Sequence, residues 1–310
     1  FKKIDPTDDY QTMIYPDNLE IRDDTGNALV INFDGRVCDK ARDPSDCRVA
    51  TVPYWEAFGN IRTMRTAFDR ERFLTRTGRI YLAGRFDIWE DNYDDATGAL
   101  IPYASRQPKP IVYHLDPDFP DQENENDVGM VAAANRLADE WSNPFDETVA
   151  FLQGMVTADG RGDIAALRTK YGQDFRMFQT KRNSCSVPNV RSYVLSRPAE
   201  QREAYEQILT RLAGGLNRLA RGNIREFCYE MEFYEINTLG YTMDPKRVNH
   251  EEGRHLAFQW ERQGDTRFNF QNYVEQFQPN GPWGVVVPSR DPETGELTGT
   301  TANIFAGAND

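Results

Sequence analysis

Ile111-Val112-Tyr113-His114-Leu115-Asp116-Pro117-Asp118-Phe119-Pro120 is the stretch whose reading decides the fold. Residues 111–116 are rich in β-favouring side chains and form a short strand. Pro117 and Pro120 end it, since proline has no amide proton to give to a ladder. Beyond them Val131, Ala134, Leu137, Ala138 and Trp141 recur at helical spacing. A helix is therefore expected from about Asp127 to Trp141, stopped at Asn143-Pro144. A strand that hands over to a helix points to an α+β protein.

Outward from that stretch the texture changes. Residues 1–109 read as a β-rich N-terminal domain. Its strands are Gly26 to Phe33, Arg48 to Trp55 and Arg79 to Glu90, with one helical spacing at Phe58, Ile61, Met64 and Phe68. Pro108 and Pro110 mark the boundary. Downstream, short helices are expected over 148–155 and 163–170. A longer one, 198–219, is opened by Pro198 and weakened by Gly214-Gly215. The last third is strand and turn: Trp283 to Val287, the turn Asp291-Pro292-Glu293-Thr294-Gly295, then Glu296 to Phe305.

With 36 basic and 49 acidic residues the net charge is −13. So acidic a chain does not hold nucleic acid or an anionic membrane by general electrostatics. No run approaches the ~18 apolar residues of a membrane helix. Four cysteines permit three pairings. The most local joins Cys38 to Cys47 and Cys185 to Cys228, which implies an oxidising compartment. The alternative is four reduced thiols in a cytosolic protein.

The candidate metal sites are few. His250 and His255 are five apart, which on a helix would hold their rings about 140° apart, and Arg254 stands at the i+4 position that a zinc helix needs. No zinc site is expected there. Asp121, Glu123, Glu125 and Asp127 form an acidic run of the kind that can ligate calcium. The competing reading is acidic residues favoured before a helix N-terminus. His114 is a lone strand histidine.

Two segments resemble a known family. One runs from Lys109 to Pro120 and on to Ala138-Asp139-Glu140-Trp141-Ser142-Asn143-Pro144-Phe145. The other comprises Asp265 to Phe270 and Gly281 to Phe305, around Asp291-Pro292-Glu293-Thr294-Gly295-Glu296. Together they resemble the first half of the catalytic domain of large bacterial secreted zincin-type zinc metallopeptidases. The resemblance covers roughly 109–145 and 265–305 of the sequence.

The resemblance implies an incomplete zincin-like half-domain over 110–310, with 146–264 as a largely helical insertion. It implies an N-terminal fragment that is inactive alone, with no catalytic residue in this chain, because HExxH is absent from it. Zinc is expected only in the missing C-terminal part. The implied substrate edge strand carries Thr298, Thr300, Ala302 and Ile304. It would be covered by the C-terminal remainder of the same precursor or by another chain, and would pair with a peptide or protein substrate. The implied location is extracellular, cell-surface or periplasmic. The alternative is a non-enzymatic extracellular structural or binding protein on the same scaffold.

Overall fold

A computed structural model describes residues 84–275, 284–291 and 295–305 in full, and the backbone of seven strands before residue 84. The chain divides into two compact units. The first comprises 1–87, 91–101 and 289–298; the second comprises 88–90, 102–288 and 299–310.

The first unit is built from strands. β1 (Ile14–Tyr15), β7 (Arg79–Ala83) and β6 (Arg62–Thr66) form one antiparallel sheet in that order. β2 (Leu19–Arg22), β3 (Ala28–Ile31), β4 (Arg36–Asp39) and β5 (Cys47–Val49) form an antiparallel meander. The helical spacing at 58–68 therefore encloses a strand. Thr63 and Thr66 suit a pleated surface, and pairing with β7 overrides the local pattern. The expected strand 79–90 ends at Ala83.

The second unit is an α+β layer. β8 (Ile111–Leu115) is the predicted strand, buried at Ile111, Tyr113 and Leu115. α1 (Gly129–Leu152) follows it and does not stop at Pro144. Buried anchors carry the helix past the proline. Ser142 donates to the Asp146 carboxylate (2.9 Å), which also accepts from the Met177 amide (2.8 Å) and Arg168 (3.0 Å). A fully buried carboxylate with that set of partners outweighs one missing helical hydrogen bond.

Next come α2 (Ile164–Tyr171), capped by Asp163 on the Ala166 amide, and β9 (Phe178–Lys181). α3 (Val187–Leu195), α4 (Ala199–Ala213) and α5 (Arg221–Asn237) then pack around a core of Val190, Val194, Tyr205, Leu209, Ile224, Phe227 and Met231. α4 ends at Gly214, whose φ of 78° is left-handed, so the expected helix to 219 is cut there. The Cys185–Cys228 disulfide lies in this core, with Cα atoms 6.1 Å apart.

β10 (Asn269–Val274), β11 (Gly284–Arg290) and β12 (Leu297–Phe305) complete a five-stranded sheet of order β11-β12-β10-β8-β9. β8 is parallel to β9 and β10, and β10 is parallel to β12. β11 and β12 are consecutive neighbours on a short turn, which makes them an antiparallel hairpin. The stretch 146–264, expected to be largely helical, carries α2 to α5 and also contributes β9 to the sheet. The strand expected at the edge is internal, flanked by β10 and β11; the edges are β11 and β9. No helix among the described residues is long and apolar enough to cross a membrane.

Candidate functional site

Among the described residues β11 is an end strand of the sheet. Val285, Val286 and Val287 are 40%, 58% and 53% exposed, three consecutive β-branched side chains on an end strand. Such a strand offers its outer backbone groups to another extended chain. Pro288 lies in the same strand, a residue that sheets tolerate at edges.

The four residues expected to line that edge sit elsewhere. Thr300 is buried, and its hydroxyl meets Tyr113 Oη at 2.5 Å and Asn269 Oδ1 at 2.9 Å. The Asn269 amide in turn donates to the Val112 carbonyl (3.0 Å), so these side chains bind three adjacent strands together. Burial pushes the Tyr113 phenol up, while its bond to Thr300 opposes the shift. Ala302 pairs with Gln271, and Ile304 pairs with Tyr273 and packs beside Phe119. Thr298 alone is exposed. These are core and ladder positions; β12 has neighbours on both sides, so its backbone is not free for a substrate.

The face of β8 opposite α1 carries a polar cluster that the sequence did not reveal. His114 Nδ1 is 3.6 Å from Glu261 Oε1, too far for a hydrogen bond. Ser184 donates its hydroxyl to Glu261 Oε1 (3.0 Å) and its amide to Oε2 (2.7 Å). The Phe268 ring stands edge-on to the imidazole. Burial pulls the His114 pKa down, the Glu261 carboxylate pulls it up, and Lys181 adds to the lowering. A nucleophilic serine must give its proton to the imidazole. Here the carboxylate takes that proton and the imidazole is left out, so the cluster holds the loop before Cys185 in place and is not a triad.

At the carboxyl end of β8, Arg225 of α5 clamps Asp116 (2.7 and 2.9 Å) and Asp118 (2.7 Å). Asp116 is 5% exposed, and burial pushes its carboxyl up to about 6 against the opposing pull of Arg225. A raised carboxyl pKa means that the folded protein holds the proton more tightly than the unfolded chain. The stabilisation is complete below the ordinary value of 3.8 and is lost as pH rises through about 6. Relative to Asp116→Asn, the native chain is expected to lose about 2 kcal/mol of stability between pH 4 and pH 7. Urea midpoints of both proteins at the two pH values check this; a gap that does not change with pH refutes it.

The acidic run 121–127 does not gather into a cation site. Asp121, at φ 62°, turns its carboxylate onto the Met130 amide (2.7 Å) at the start of α1. Asp127 pairs with Arg182 (2.9 Å) and Asn135 (2.7 Å). Glu123 and Glu125 point into solvent. The run serves the helix N-terminus, in line with the dipole reading. Among the described residues no group of three or more His, Cys, Asp or Glu side chains could hold a metal ion. A catalytic zinc needs three protein ligands and an open position, so the residues described here do not fit one, and no chemical step is derived through it.

Cys185 and Cys228 are joined as the local pairing predicted, and no free cysteine remains among the described residues. Cys38 and Cys47 stand directly opposite each other in the β4–β5 register; their side chains lie outside the described residues. His250 and His255, read as pointing apart, are side by side, because the segment is a hairpin and not a helix. Comparison with protein-family models, with curated proteins and with solved structures finds no match for this chain.

Proposed function

We propose that this chain is the substrate-binding N-terminal part of an exported zincin-like zinc metallopeptidase, whose zinc helix lies in sequence outside these 310 residues. The observation that carries the reading is β11. It is an antiparallel strand on the rim of an otherwise parallel sheet, with three exposed valines. A peptidase binds its substrate extended, and an open edge supplies the main-chain hydrogen bonds for that while side chains select the sequence. The substrate strand is thus assigned to Val285–Val287 in place of Thr298–Ile304.

Two further features support the reading. α1 leaves Leu137, Trp141 and Phe151 45%, 55% and 55% exposed along one side, a surface that a further helix beside it would cover. The buried Cys185–Cys228 bridge suits an exported protein.

Hydrogen exchange tests it. An uncleavable extended apolar peptide is expected to slow exchange at Val285–Val287. Val286→Pro, which removes one backbone donor, is expected to weaken the peptide roughly tenfold, the worth of one hydrogen bond of ~1.4 kcal/mol. Unchanged exchange in β11 at saturating peptide overturns the edge assignment. A coding sequence without HExxH after residue 310 overturns the peptidase itself.

A further inference from the structure

His250 and His255 come together through a tight hairpin. Asn249 and Arg254 exchange both backbone hydrogen bonds (2.9 and 2.8 Å), closing a loop over 250–253. Gly253 takes φ 70° there and donates its amide to the His250 carbonyl (3.2 Å). A side chain at 253 would strain that turn, so the glycine is what makes the hairpin. Asn249 Oδ1 accepts from the amides of Glu251 (3.2 Å) and Glu252 (3.4 Å), fixing the start of the loop.

His255 is held from the other side. Its carbonyl accepts from the Thr242 amide (2.9 Å), and the Tyr241 ring stands edge-on to it at 5.2 Å. The result is an Nδ1 to Nδ1 distance of 3.3 Å, with ring centroids 5.2 Å apart.

A separation of 3.3 Å is within reach of a long N–H···N bond and equally of a shared ion. Two imidazoles on one tetrahedral ion, each at ~2.05 Å, lie about 3.3 Å apart. We propose that His250 and His255 chelate a divalent transition-metal ion of the zinc or copper class through their two Nδ1 atoms. Neutral imidazole suits these ions. His250 is exposed, so water reaches the remaining coordination positions. Arg254 lies 3.7 Å from Glu252, which offsets its charge.

The ion would bridge the first residue of the loop to the residue just past its closing pair, and so lock the hairpin. The proposal is independent of the peptidase reading, whose zinc ligands lie outside this chain.

Calorimetric titration of the tag-free chain with Zn²⁺ is the test. One saturable equivalent is expected, and it should be lost in both His250→Ala and His255→Asn. Each variant is checked for native near-ultraviolet circular dichroism, and the two lie at the end of an exposed hairpin. Long-range ¹⁵N–¹H spectra should show the zinc-induced shift at Nδ1, with the proton kept on Nε2. No saturable binding, a site that survives both substitutions, or a shift at Nε2 instead each overturns the proposal.

Discussion

Cys185→Ser is expected to lower the unfolding free energy by about 4 kcal/mol, the chain-entropy value for a loop of this length. The bridge spans 43 residues, from the loop before α3 to the middle of α5. Both sulfurs are fully buried among Val190, Ile224 and Phe227, so the serine also leaves a polar group in an apolar core. Urea unfolding of the variant and of the intact chain, with and without reductant, measures the loss. A difference below about 1 kcal/mol would mean that the helices hold without their covalent tie.

Glu235→Ala should cost a similar amount, about 4–6 kcal/mol, for a different reason. Glu235 is completely buried, and one carboxylate serves three donors. Tyr193 and Tyr205 each give it a hydroxyl at 2.6 Å, and the Phe258 amide bonds its other oxygen. Burial, reinforced by Glu235 itself, pushes both phenols far above their ordinary range, so they stay donors at every pH the fold survives. Alanine strands all three groups in a dry interior. Glu235→Gln keeps one acceptor oxygen and turns its amide toward the third donor, so it should fall between the two. Thermal unfolding of the three proteins gives the ranking; an alanine variant as stable as the glutamine variant contradicts the account.

The sequence was most legible where the signal is local. The strand at 111–115 follows from residues within a few positions of each other, and Gly214-Gly215, read as weakening a helix that ran to 219, is where α4 stops. The Cys185–Cys228 pair was the nearest-neighbour choice and formed. What failed needed distant information. Nothing local says that β12, last in the sequence, slots inside β11, or that β9 leaves a helical region to join the sheet. Pro144 reads as a helix end until the Asp146 anchors that override it are seen. Five-residue spacing would hold the rings of His250 and His255 apart on a helix, whereas the Gly253 turn reverses the chain and brings them together. Glu261 and Ser184 are 77 residues apart, and no spacing rule links them.

The side chain of Asn269 bonds a carbonyl of β8 that lies 157 residues earlier in the chain. This sheet therefore has a high contact order, and parallel pairing of that kind forms slowly. On the ribosome, at about 5–20 residues per second, β8 would wait roughly 10–30 seconds before β10 exists to pair with it. In that interval β9 and α1 are the described elements that can shelter its apolar face. The helices α3, α4 and α5 have local partners and can fold in the gap, drawing the distant strand ends together. The order of assembly is then helices first and sheet last, so β11 and β12 are among the last of the described strands to pair.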